Sequence, residues 1–190
     1  MTVVVPVKAF DRAKERLAEA LKPVERENLA RRLATGVVEV VVQSSWPVLV
    51  VCDDDATATW AGALGAEVLV QTGSGLNAAA TEARALLRDR ATRLAIVHAD
   101  LARPAGLIAL LRVSSTNPEV VLVPDHRRDG TTVLVVPTDA AFTFGYGPGS
   151  FLRHCDEATR LGLGPRVIDD PSLGVDIDVP DDLAALEGSD

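Results

Sequence analysis

The chain has 190 residues, 47% of them hydrophobic and 24% charged, with a formal charge of −8. That length suits a single domain spanning 1–190 with a full core. An acidic chain without a Lys- or Arg-rich block is a poor partner for nucleic acid, whose phosphates select basic surfaces. Nothing at the start reads as a signal peptide, and no apolar run approaches the roughly 20 residues that span a bilayer. Cys52 and Cys155 lie far apart and outside any C-x-x-C pattern, as free thiols of a reducing compartment do. A cytoplasmic protein with no membrane partner is therefore expected.

Short apolar runs alternate with longer helical stretches. Residues 3–7 read as a buried first strand, followed by a polar loop holding Lys8, Asp11, Lys14 and Arg16. Pro23 sits where a first helical turn starts, and 24–42 reads as a helix. Residues 48–52 form a second strand, and Asp53, Asp54 and Asp55 can cap a helix running to about residue 64. A third strand over 67–70 leads into the loop Gln71-Thr72-Gly73-Ser74-Gly75-Leu76 and an Ala-rich helix from 77 to about 90. Residues 94–98 read as a fourth strand ending at Ala99-Asp100, and Pro104 opens a helix to about residue 112.

Residues 120–123 and 132–136 look like two strands joined by a charged turn at 125–130. The glycine-rich run 145–150 feeds a helix over 151–161. Two short strands are expected at 167–168 and 175–177, then a last helix from Pro180 and a frayed tail from Gly188. Alternating strands and helices predict a mostly parallel α/β sheet covered on both faces. In such sheets ligands bind beyond the carboxyl ends of the strands.

The candidate chemistry follows the strands. Asp100 comes directly after an apolar strand. Asp176 and Asp178, two apart on an expected strand, point to one side. Three carboxylates brought together repel unless a cation sits between them, and Mg²⁺ is commonly held by one or two carboxylates plus substrate phosphates. Taken singly, each has a plainer reading: Asp100 and Asp178 as helix caps, and Asp176 with Asp178 as a solvated turn. Lys8, Lys14 and Arg16 can grip a triphosphate, or form a solvated charged loop alternating with Asp11 and Glu15. No P-loop pattern follows the first strand.

Gly145-Tyr146-Gly147-Pro148-Gly149-Ser150 before a helix is either an anion cradle or an ordinary tight turn capped by Ser150. Gly73-Ser74-Gly75-Leu76-Asn77 leaves room for a flat ring, and the Asn77 amide can cap its helix or contact a nucleotide. His98 reads as strand packing, His126 and His154 as surface residues. No Ser-His-Asp or Cys-His grouping is apparent, and phosphoryl chemistry needs none. A phosphate monoester with its second pKa near about 6 is already largely a dianion at neutral pH.

In this order the motifs resemble the 2-phospholactate guanylyltransferase family, which includes phosphoenolpyruvate guanylyltransferases of deazaflavin coenzyme F-420 biosynthesis. The likeness runs through Val5-Pro6-Val7-Lys8, Ala13-Lys14, Arg16-Leu17, Gly75-Leu76-Asn77, Ala99-Asp100-Leu101 and Pro124-Asp125. It continues through Gly130-Thr131-Thr132, the run from Gly145 to Phe151, His154 and Asp176-Ile177-Asp178, and so covers nearly the whole chain. The resemblance implies a Rossmann-like nucleotidyltransferase fold related to molybdenum-cofactor guanylyltransferases. It implies Mg²⁺ on Asp100, Asp176 and Asp178. It implies Thr132, Gly147 and Ser150 on the acceptor's phosphate or carboxylate, and Lys14 and Asn77 on GTP, with Lys8 among the catalytic groups.

The implied substrates are GTP and phosphoenolpyruvate, ahead of 2-phospholactate or a phosphoglycerate. The enzyme that consumes the labile product is an expected partner. Two departures stand out. The superfamily's G-x-G-x-R-type opening is absent, and Ala102 and Arg103 intervene before Pro104 where a proline commonly stands two residues after the metal aspartate. The competing readings are transfer to a molybdopterin or sugar phosphate, and a catalytically inactive nucleotide-binding or regulatory subunit.

Overall fold

Valine-rich segments that are buried along their whole length can only be interior strands of a sheet covered on both faces. The computed structural model, which describes residues 1–116 and 118–184, shows seven strands in one sheet, five of them buried almost throughout and the two edge strands partly or fully exposed. In chain order the elements are β1 (Thr2–Val7), α1 (Pro23–Gln43), β2 (Val48–Cys52), α2 (Asp55–Ala63), β3 (Glu67–Val70) and α3 (Gly75–Leu87). Then follow β4 (Arg93–Val97), α4 (Leu107–Ser114), β5 (Val120–Pro124), β6 (Thr131–Pro137), α5 (Ser150–Arg160) and β7 (Pro165–Val167).

The sheet order is β3-β2-β1-β4-β6-β5-β7. Among the described strands β6 alone runs against its neighbours, pairing antiparallel with both β4 and β5. The expected mostly parallel α/β sheet with helices on both faces is the one observed. Alternate side chains of β1 go to opposite faces. Val3, Val5 and Val7 meet the apolar stripes of α1 and α4, while Val4 meets α3 and α5.

The chain winds from β1 outward to β3, then returns to lay β4 on the other side of β1. That reversal opens a crevice at the carboxyl ends of β1 and β4, the place where open α/β sheets hold ligands.

Three local expectations need correction. The expected strand at 175–177 is only an isolated bridge, Leu101 to Asp176, helped by Ala102 N donating to Val175 O at 2.9 Å. With Gly174 before it and Pro180 after it, the segment is too short to form a ladder. β4 ends at Val97, so His98 stands just beyond the strand. Pro180 opens a 3-10 turn, Pro180–Leu183. The tail from Gly188 lies outside the described residues.

Candidate active site

Four loops converge on the crevice. After β1 come two 3-10 turns, Phe10–Arg12 and Glu15–Leu17, with Lys14 between them in the left-handed region at φ 57°. A cleft of about 530 Å³ opens here, lined among others by Lys8, Lys14, Asp53, Gln71, Gly75 and Asp100. Its size is that of an ordinary small-molecule site. The N-terminus of α3, at Ser74, Gly75 and Leu76, forms one wall.

A second cavity of about 520 Å³ is lined by Arg16, Arg127, Asp125, Asp129, Asp176 and Asp178, among others. Among the described residues, Asp178 alone lines both spaces.

The carboxylates meet between them. Ligand atoms of His98, Asp100 and Asp176 all lie within 4.8 Å of one another. His98 Nδ1 stands 3.9 Å from Asp100 Oδ1 and 3.9 Å from Asp176 Oδ2. Lys14 Nζ is ion-paired with Asp100 Oδ2. Asp178 stands slightly apart and receives Arg16 Nη1 at 2.6 Å.

The electrostatics follow from this crowding. Desolvation works against the charged Asp100 carboxylate, but the Lys14 ammonium and then His98 outweigh it and hold its pKa below the ordinary value. Burial likewise opposes a charged His98, yet Asp176 and Asp100 raise the imidazole above its usual range. The donor set suits a divalent cation: hard carboxylate oxygens converge on one point and already draw in a side-chain ammonium. His98 is the residue that sequence reading missed. Its apolar flanks on β4 disguise a ring that faces two carboxylates.

Thr132 is next to this cluster, because His98 N donates to the Thr132 carbonyl at 2.9 Å. Its hydroxyl donates to Val123 O at 3.2 Å and is buried. Gly147 and Ser150 lie at the start of α5, where φ values of 119° at Gly147 and 73° at Gly149 call for glycine. The first donors of α5 are already engaged: Gly149 N reaches Asp129 Oδ1 at 2.9 Å, and Phe151 N reaches Asp129 O at 3.0 Å.

The rest of this loop is held from several sides. Arg153 donates to Gly145 O at 2.9 Å and Gly147 O at 3.2 Å. Gly145 N donates to His154 Nε2 at 3.0 Å. His154 is fully buried rather than at the surface, because its other nitrogen lies 3.0 Å from the buried Thr131 hydroxyl. Asn77 neither caps its own helix nor stands free: its Nδ2 donates to Tyr146 O at 3.2 Å and its Oδ1 accepts from Tyr146 N at 2.7 Å. One amide thus ties the cleft wall to the glycine-rich loop.

Asp182 does similar work beside Asp178. The buried carboxylate accepts from Asp178 N and Val179 N, each at 2.9 Å, and from Arg127 at 2.7 Å. Lys8 is exposed at the cleft rim and pairs with Glu15 at 3.5 Å.

A family model described as guanylyl transferase CofC-like matches residues 1–189. The chain belongs to that family. It is 42% identical over 190 residues to a phosphoenolpyruvate guanylyltransferase of Rubrobacter xylanophilus, covering 98% of this chain and 93% of the relative. It is 39% identical over 186 residues to one from Roseiflexus castenholzii, covering 96% and 86%. Among solved structures, a protein of Desulfovibrio desulfuricans described as a nucleotide-diphospho-sugar transferase superposes with a TM-score of 0.78 at 16% identity, over 98% of this chain and 87% of that one. That likeness speaks for the fold, the Rossmann-like fold of nucleotidyltransferases. The family membership makes the protein a nucleotidyltransferase enzyme. No helix among the described residues is long and apolar enough to cross a membrane.

Proposed function

We propose that the protein transfers the guanylyl group of GTP onto the phosphate of phosphoenolpyruvate, releasing pyrophosphate, as a step of deazaflavin coenzyme F-420 biosynthesis. The observation that carries this reading is the carboxylate cluster standing between two cavities, with Asp178 on both. A nucleotidyl transfer joins two anionic substrates at one phosphorus and needs that arrangement. The first cavity takes the nucleoside triphosphate, where Lys14 and Lys8 meet its negative charge. The α3 N-terminus, with glycine at its first position, leaves room for the base.

The acceptor lies in the second cavity, where Arg16 and Arg127 meet its charge. Beside it is the glycine-rich loop of Gly147 and Ser150, which Asp129 ties to that cavity. The Thr132 hydroxyl is held by Val123 O, so Thr132 acts through its backbone beside His98. One of the acceptor's phosphate oxygens attacks the α-phosphorus. The bond from that phosphorus to the bridging oxygen breaks, and pyrophosphate leaves. The attacking phosphate is already largely a dianion near neutral pH, so no general base is required. Asp100, Asp176 and Asp178 would hold Mg²⁺, which when bound neutralises the phosphates and stabilises transition-state charge. The remaining contribution of the protein is positioning and fixed charge.

The test is pyrophosphate release from GTP with phosphoenolpyruvate, 2-phospholactate and phosphoglycerates side by side, with Asp176→Asn as control. Release with phosphoenolpyruvate that the variant loses supports the proposal. GTP binding without release for any acceptor sinks it and favours a nucleotide-binding subunit.

The Asn77 bridge yields a second expectation. Asn77→Ala removes two hydrogen bonds, each worth about 1 kcal/mol, and frees the Tyr146 loop from α3. Acceptor KM is expected to rise about tenfold, with a smaller change in kcat. Steady-state kinetics decide this, and an unchanged acceptor KM would show that the bridge does not order the loop.

A further inference from the structure

Two of the three carboxylates at the proposed metal position are already neutralised by the chain itself. Lys14 pairs with Asp100, and Arg16, two residues on, pairs with Asp178. The Lys14 side chain is only 6% exposed, whereas Arg16 is 69% exposed. The exposed pair is held loosely. The buried ammonium is different, because it cannot be left without a counter-charge. The backbone at Lys14 is left-handed, a conformation L residues seldom adopt, and this aims the side chain inward between two 3-10 turns. The same side chain also lines the cleft that takes the triphosphate. Lys14 therefore lies within reach of two anions, one built in and one that arrives.

We propose that Lys14 is an exchangeable internal cation. Without nucleotide it occupies the Asp100 carboxylate in place of a divalent ion. The triphosphate draws it away and opens Asp100 to the metal. This rests on the GTP reading given above. Linkage makes the effect reciprocal: nucleotide tightens the divalent cation, and the cation tightens nucleotide by the same factor. The metal then enters with the nucleotide, and the nucleotide-free site stays closed to it.

The experiment titrates Mn²⁺ into the full chain, with free Mn²⁺ read by electron paramagnetic resonance, with and without a non-hydrolysable α,β-methylene GTP analogue. Lys14→Met is the main variant. Lys14→Gln is the second, in case the first folds poorly, and Arg12→Met is a control whose cation sits on Asp53 at 3.1 Å. Without nucleotide, Lys14→Met is expected to bind Mn²⁺ about tenfold tighter than the parent protein or more, and the analogue should add far less than it does for the parent. Unchanged or weaker Mn²⁺ binding in both Lys14 variants overturns the exchange. So does an equal gain in Arg12→Met, which would mark a general charge effect. Mn²⁺ affinity in the presence of the analogue, after subtraction of uptake by the analogue alone, that is unchanged in Asp176→Asn overturns the metal reading itself, a failure distinct from the other two.

Discussion

Replacing Asp100 by Asn is expected to lower kcat/KM for pyrophosphate release by about 10³-fold, roughly 4 kcal/mol of transition-state stabilisation. The substitution keeps the shape of the side chain and removes one charge. Its backbone role survives, since the Asp100 carbonyl accepts from Ile177 N at 3.2 Å whatever the side chain. What changes is the centre of the cluster, where His98, Asp176 and Lys14 all face this carboxylate. The amide oxygen can still accept from Lys14, so the ammonium loses its charge partner but not its hydrogen bond. A buried ammonium that keeps an amide acceptor but loses its counter-charge is costly, so stability should fall by about 3–5 kcal/mol. Thermal melting and steady-state kinetics on the same preparation separate the two effects. Activity within tenfold of the parent would remove Asp100 from the chemistry. A collapse of the fold would mean that the Lys14 pair is structural. Asp178→Asn makes a useful contrast, because its partner Arg16 is well exposed and the pair adds little to stability.

The sequence reveals strands and helices readily here, for a physical reason. β1, β2, β4, β5 and β6 are almost continuous runs of Val, Leu and Ile, which suit only a pleated interior surface. Between them, stripes such as Ala79, Ala80, Ala83 and Leu87 keep a helical period. The carboxyl-end location of the site follows from that alternation. The details depend on contacts between residues far apart in the chain, which no local pattern encodes. Asn77 reaches Tyr146 across 69 positions, and Lys14 reaches Asp100 across 86. Arg153 and Asp129 brace the glycine-rich loop without any motif to announce them. His98 looks apolar in context because its neighbours are, yet one residue beyond the strand end places it among carboxylates. The segment at 175–177 has strand-like residues but pairs only once, at Asp176 with Leu101, between Gly174 and Pro180.

His154 sets the pH range over which the glycine-rich loop stays anchored. Gly145 N–H donates to Nε2, so that nitrogen carries no proton, and the ring proton sits on Nδ1 facing the Thr131 hydroxyl. Protonating Nε2 would break the loop contact and bury a charge against the Tyr146 ring, whose centroid is 4.7 Å away. Burial first, then Arg153 and His98, therefore push the His154 pKa from 6.5 down to about 4. The unfolded chain takes up this proton near pH 6.5, and the folded protein does not take it up until about 4. Stability from His154 is thus complete above pH 6.5, declines as pH falls toward 4, and is flat below that. The full loss amounts to about 3 kcal/mol. His98 is shifted the other way, so its contribution is lost as pH rises above 6.5 and it adds no slope within this window. The depressed carboxylates, Asp100 and Asp182 among them, act at lower pH, where unfolded carboxylates titrate. The interval between pH 6.5 and 5 is therefore the informative one. Urea unfolding at pH 6.5, 5.75 and 5 should show stability falling steadily, and His154→Gln should be less stable at pH 6.5 but nearly flat across the series. An equal slope in that variant would place the proton elsewhere. Unfolding is a cleaner readout than activity, because the acceptor's own phosphate titrates near pH 6 and would confound a KM measured there.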